Sequence, residues 1–144
     1  MVKLVFDIEP QSQLRPRAAY NTRSHHIVVY DPKVTHEYKQ RLRQLAQNQY
    51  TQEPLDSALK VDVSFFRPVQ KSLSAIERAR RISGEHRPAV KSDIDNYIKA
   101  LFDSLNGVVW QDDKQICDLV AHKYYSDKPR IEIEVTTVNE EVTI

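Results

Sequence analysis

The sequence predicts an α+β fold in a single domain, with element order β-α-β-α-β-β and a mixed sheet that carries its helices on one face. Three observations predict it. Two stretches repeat apolar residues at helical spacing, several short stretches alternate apolar and polar residues, and turn or breaker residues separate them. Two apolar helix stripes need an apolar sheet face to cover them, which is a layered architecture.

Residues 2–8 alternate, with Val2, Leu4, Phe6 and Ile8 on one side, and predict the first strand. Residues 10–30 are polar and hold Pro10 and Pro16. They read as a loop or a loose hairpin that ends in the apolar run 27–30. Asp31-Pro32 is a helix-start signal, because Asp can cap and proline suits a first turn. Val34, Tyr38, Leu42 and Leu45 then carry a helix to about Gln49. Leu59, Val61, Val63 and Phe65 mark the next strand, which stops near Pro68. Residues 69–92 form a basic insert broken by Gly84 and Pro88, with a short helix over 74–82. It is expected to be the most mobile part of the chain. Ile94, Ile98, Leu101, Phe102 and Leu105 give a second helix, stopped by Asn106-Gly107. Residues 116–125 and 130–138 predict the last two strands, joined through Asp127-Lys128-Pro129.

A length of 144 residues fits one domain that can bury a working core. One cysteine, Cys117, rules out an internal disulfide framework and a Cys-rich zinc site. A reducing compartment such as the cytoplasm is the natural reading. The absence of a long apolar run predicts neither a signal peptide nor a membrane span. The net charge is only +1, but its distribution is uneven. Residues 67–91 carry Arg67, Lys71, Arg78, Arg80, Arg81, Arg87 and Lys91 against Glu77 and Glu85. Such a stretch suits either one polyanion-facing surface or a solvated helix face.

The chemistry concentrates around Asp93-Ile94-Asp95-Asn96 and Lys99. In an extended lead-in, residues 93 and 95 share a face while Ile94 turns to the core. Lys99 lies one helical turn beyond Asp95. A second acidic cluster, Asp112-Asp113, follows the helix stop, and a strand pairing beside the helix start would bring it near the first. Two unit charges about 4 Å apart repel by roughly 4 kcal/mol at an effective dielectric near 20, so a shared divalent cation would relieve such a group. Oxygen-only ligands suit Mg²⁺ or Mn²⁺ over zinc. The bland reading makes these aspartates helix caps and turn residues.

The run 93–99, then Asp103-Ser104-Leu105-Asn106-Gly107, then Asp112-Asp113-Lys114-Gln115-Ile116, resembles the signature of the RusA-type Holliday-junction resolvases. Arg15-Pro16-Arg17 and Tyr30-Asp31-Pro32 are similar to the family's N-terminal segments. The resemblance implies a RusA-like endonuclease domain over 1–144. It implies an enzyme that acts in DNA recombination and repair as a homodimer, resolving four-way branched DNA by paired symmetric nicks with Mg²⁺ or Mn²⁺. Carried over residue by residue, the metal-binding acids are Asp93, Asp95 and Asp113, with Asp112 a further candidate, and the essential lysine is Lys99. Asp103 is expected to pair with Lys99 or to offset local charge. Arg15, Arg17, Arg78, Arg80, Arg81, Arg87 and Lys91 are the candidate DNA contacts. His25 and His26 are expected to be exposed loop residues, His122 structural, and Asp118 either near the metal or solvent-facing. Trp110 is expected in the core or a dimer interface. Two alternatives remain open on the residues alone: a non-catalytic DNA-binding dimer, and a metal-dependent nuclease for other branched or single-stranded DNA.

Overall fold

A computed structural model describes residues 1–90 and 93–138. In chain order the elements are β1 (Val2–Phe6), β2 (Arg17–Asn21), β3 (His26–Tyr30), α1 (Lys33–Gln49), β4 (Leu59–Pro68), α2 (Ala75–Ile82), α3 (Ile94–Leu105), a 3₁₀ turn (Asp113–Gln115), β5 (Ile116–Ser126) and β6 (Arg130–Thr137). The α+β class holds, and the loose hairpin and the short insert helix are both present.

The main sheet has the order β1-β6-β4-β5. β6 runs antiparallel to β1 and β4, whereas β5 runs parallel to β4. A parallel pair needs a crossover, and α3 lies in the segment that makes it. Leu59, Val61, Val63 and Phe65 of β4 fall on one face with Ile131, Ile133 and Val135 of β6, and all are buried. Tyr38, Leu42 and Ala46 of α1 join this core with Tyr97, Ala100, Leu101 and Leu105 of α3. Burying each large apolar side chain contributes about 1.5–3 kcal/mol. The opposite sheet face is polar, with Lys3, Asp62, Ser64, Glu132 and Glu134 lining a shallow hollow.

α1 and α3 lie side by side and run the same way. Lys39 meets Asp103, and one turn on Arg43 donates to the carbonyl of Asn106. Two expectations for α1 need correction. Asp31 does not cap the helix: the N-cap is Pro32 without a side-chain bond, and Asp31 instead accepts from Lys39. Val34 is 60% exposed, and Thr35 takes the buried position on that turn. The apolar side chain thus lost to the predicted stripe by one residue, because Thr35 Oγ1 accepts from Leu14 N and holds the 11–16 segment down.

The edges of the sheet are treated unequally. Gln49 closes the β1 edge with bonds to both backbone groups of Val5, 3.2 Å from its N and 2.6 Å from its O. At the far end of β5, Arg87 Nε donates to Lys123 O at 3.1 Å. Strand edges left open invite pairing, so such caps protect the fold. The described part of the insert, 69–90, is fastened through the same region. Ser74 caps α2, Glu77 binds both Arg81 and His86, and the Arg81 and Arg87 guanidiniums lie 4.7 and 4.3 Å from the ring centroids of Tyr125 and Tyr124. Among the described residues, no helix is long and apolar enough to cross a membrane.

Candidate active site

The carboxylates singled out in the sequence fall into two groups at opposite ends of α3. Asp93 is the N-cap residue of α3 but makes no capping bond. Asp95 sits in the first turn, and its carboxylate accepts from the neighbouring Asn96 N at 3.0 Å. Both side chains are exposed. Serving as a cap is therefore not what places Asp93 there.

Beside this helix start runs a cleft of about 290 Å³ lined by Gln13, Leu14, Arg15, Pro16, Asn96 and Lys99. The 11–16 segment is held over α3 by Gln13 N donating to Asn96 O at 3.5 Å. Arg15 and Lys99 thus share one wall-to-wall opening next to two exposed carboxylates. Cations and anions placed this way can hold a phosphodiester and a divalent ion side by side.

The second group forms at the other end of the helix. Asp112 caps the 3₁₀ turn in a reciprocal arrangement: Lys114 N donates to its carboxylate, and Asp112 N donates to Gln115 Oε1. That backbone bond holds the Asp112 carboxyl below its usual range. Asp113 behaves oppositely. Partial burial raises it, and the neighbouring Asp112 raises it further, with Asn106 opposing and Asp103 adding to the rise. Asp103 is held by Lys39 at 3.0 Å, and Lys39 also reaches Asp31 at 2.9 Å. The expected pairing of Asp103 with Lys99 is therefore corrected: its partner is Lys39, from the adjacent helix.

The fold accounts for the split. β5 starts beside Leu59, at the beginning of β4, while Tyr97 in the first turn of α3 packs on Phe65 near the end of β4. Asn106, which bonds Asp113, follows Asp95 by eleven positions, about 16 Å of helix rise. The convergence of both clusters within one chain is not what this topology builds. Among the described residues, no three Asp, Glu, His or Cys side chains lie together as a metal-holding group.

The candidate DNA contacts also divide. Arg15 lines the cleft, Arg17 is exposed on β2, and Arg78 and Arg80 lie on α2. Arg81 and Arg87 already have structural partners in Glu77, Tyr125, Tyr124 and Lys123. Lys91 lies outside the described residues. Trp110 is fully buried, edge-on to Phe102, with Nε1 donating to Asn106 at 2.6 Å, so it is a core residue. His122 stacks on Tyr124 and lies 3.9 Å from Asp62, while Asp118 is exposed. The sequence reading missed Lys39. Its signal was a lysine on the inward side of α1, four residues after Thr35 and three before Leu42.

Comparison with known proteins matches residues 7–136 to the model of the endodeoxyribonuclease RusA family. The chain is also 32% identical over 133 residues to a Bacillus subtilis (strain 168) protein named "Uncharacterized protein YqaN", covering 91% of this chain and 92% of that one. With the match spanning most of the chain and both acidic clusters inside it, the protein belongs to the RusA family of junction-resolving endodeoxyribonucleases.

Proposed function

We propose that this protein nicks four-way DNA junctions in symmetric pairs as a homodimer, using Mg²⁺ or Mn²⁺, and so serves DNA recombination and repair in the cytoplasm of its cell. The observation that carries this reading is the start of α3, where Asp93 and Asp95 are exposed beside a cleft lined by Arg15 and Lys99. The donor set fits a hard divalent cation: carboxylate oxygens, with neither carboxylate used by an ion pair among the described residues. Asp93 and Asp95 would hold the ion, and when bound it supplies Lewis-acid charge at a scissile phosphate.

Lys99 and Arg15 bind and orient the phosphodiester from the cleft, and Lys99 stabilises the negative charge that grows on the phosphoryl oxygens. Water attacks in line, leaving a 5′-phosphate and a 3′-hydroxyl. Asp113 stands at the far end of α3, so its part in metal binding calls for a second copy whose α3 lies antiparallel. That arrangement would bring the Asp113 end of one protomer to the Asp93 end of the other, and two-fold symmetry would give two such places. Paired nicks follow naturally from that symmetry.

The test is cleavage of a synthetic four-way junction against linear duplex of the same sequence, in Mg²⁺. Junction-selective, paired nicking is the expected result. The Asp95→Asn variant should bind junction but not cut it. Cleavage by that variant at the normal rate, or equal cutting of linear duplex, would overturn the reading. Titration calorimetry with Mn²⁺ separates it from a non-catalytic DNA-binding dimer, which would show no metal site.

A further inference from the structure

Two surfaces of this chain are unfinished in the same way. The β2–β3 hairpin is exposed along its whole length, and its apolar side chains project from both faces. Ile27, Val29 and Tyr20 share one face and are 70%, 67% and 60% exposed; Val28 and Tyr30 stand on the other. A two-stranded hairpin of this kind is marginal in water by itself. The second surface is the outer edge of β5. From Cys117 to Val120 every residue is exposed, and Leu119 and Val120 are apolar on alternate faces. β5 ends the sheet, so this edge has no neighbouring strand among the described residues. The chain caps its β1 edge with Gln49 and the far part of β5 with Arg87, yet leaves this stretch open.

Charge matches the two surfaces to each other. The segment from Pro10 to Tyr30 contains Arg15, Arg17 and Arg23, with His25 and His26, and no acidic residue. The β5 edge is approached through Asp112, Asp113 and Lys114 and carries Asp118 in its open stretch, a net negative charge over 112–120, with His122 and Lys123 only beyond it.

We infer that the β2–β3 hairpin of one protomer pairs along the Cys117–Val120 edge of β5 in a second copy of this chain, and that the exchange is reciprocal. The inference rests on the homodimer proposed above and assigns its interface. Strand addition would satisfy the open backbone groups of both elements and bury Ile27, Val29, Leu119 and Val120 together. A reciprocal exchange closes with two-fold symmetry rather than growing into a fibre.

Cys117 provides a built-in probe. Strands paired side by side bring facing α-carbons to about 5 Å, within disulfide reach. Ile27→Cys, Val28→Cys and Val29→Cys, each made singly, should include at least one variant that oxidises to a covalent dimer. Adding Cys117→Ser should abolish that dimer. Separately, Ile27→Glu with Val29→Glu, and Leu119→Glu on the other side, should each sediment at monomer mass while keeping the wild-type far-ultraviolet circular dichroism and a cooperative melt at a lower midpoint. A variant that loses the cooperative melt is replaced by the cysteine readout, which leaves the fold intact. A dimer that persists in both charged variants, with no cross-link in the cysteine series, overturns the inference and leaves the homodimer standing. Persistent dimer with loss of junction binding in the hairpin variant also overturns it, by making the hairpin a DNA element. A wild-type chain that sediments as monomer at micromolar concentration overturns the homodimer as well.

Discussion

Lys39→Met should destabilise the protein by about 2 kcal/mol. In the fold, one ammonium serves two carboxylates, Asp31 at 2.9 Å and Asp103 at 3.0 Å, with the lysine side chain 16% exposed and the acids 27% and 37%. Hydrogen bonds to charged groups contribute roughly 1.5–3 kcal/mol each, which sets a gross loss of about 3–6 kcal/mol. Partial exposure of both acids lets water replace some of that, and methionine recovers the packing of the lysine stem. About 2 kcal/mol remains. With an m-value near 2 kcal/mol/M, the urea midpoint should fall by about 1 M. Asp103→Asn in the Lys39→Met background should cost much less than in wild type, because the lone acid it removes no longer has a cation. Burial alone would depress the Lys39 pKa, but the bonds to Asp31 and Asp103 win and raise it. A raised folded pKa means this contribution is fully present at neutral pH and is lost only as pH climbs through the alkaline range. A midpoint shift below about 0.2 M in urea would refute the reasoning, since it would mean that the three charges are as well solvated apart as together.

Trp110→Ala should cost about 3–5 kcal/mol and lower the thermal midpoint, because it empties a fully buried site against Phe102 and orphans Asn106 Oδ1; a melt within a degree of wild type would contradict this. Arg80→Ala should weaken junction binding with the salt slope reduced by about 0.9, the share of one phosphate contact, measured by fluorescence anisotropy across a salt series. Arg81→Ala acts differently, by freeing α2 from Tyr125 and Glu77, and should raise protease cutting within 69–90 even without DNA. The Glu77 carboxyl is held below its usual range by His86 first and Arg81 second. A depressed folded pKa gives a contribution present above the ordinary glutamate value and lost as pH falls through the folded one, so the protection of α2 amides relative to their intrinsic exchange rate should fall on acidification below pH 4.5.

The parts of the fold legible in the sequence were those fixed by local pattern. Alternation placed β1, β4, β5 and β6, and helical spacing placed α1 and α3, because one buried face demands that periodicity. The short insert helix over 74–82 was legible as well. The misses came from long-range partners that leave no local trace. Asp31 has the residue type of a cap, but a lysine eight positions on recruits it. Val34 has the apolarity for the core, but Thr35 is needed there by Leu14 N. For the site, residue identity was legible and distance was not. Asp93, Asp95, Lys99 and Asp113 stand out by type and order, and Arg15 reaches the Lys99 cleft from a segment over eighty positions away. Whether two acidic clusters flanking a helix meet depends on where the following strand begins, and the parallel register of β5 on β4 sets that.

The pairing of Val2 with Val135 means the first strand of the chain has its neighbour in the last. On a ribosome, β1 must wait until residues 131–135 have been made before it can dock, and β4 likewise gains both of its flanking strands only from residues 116–137. The nascent chain therefore carries apolar strands unpaired until β6 emerges, in the regime where folding is slow and dominated by distant contacts. Premature termination before residue 130 would remove an inner strand of the sheet rather than trim its border, and would leave β1 without a neighbour.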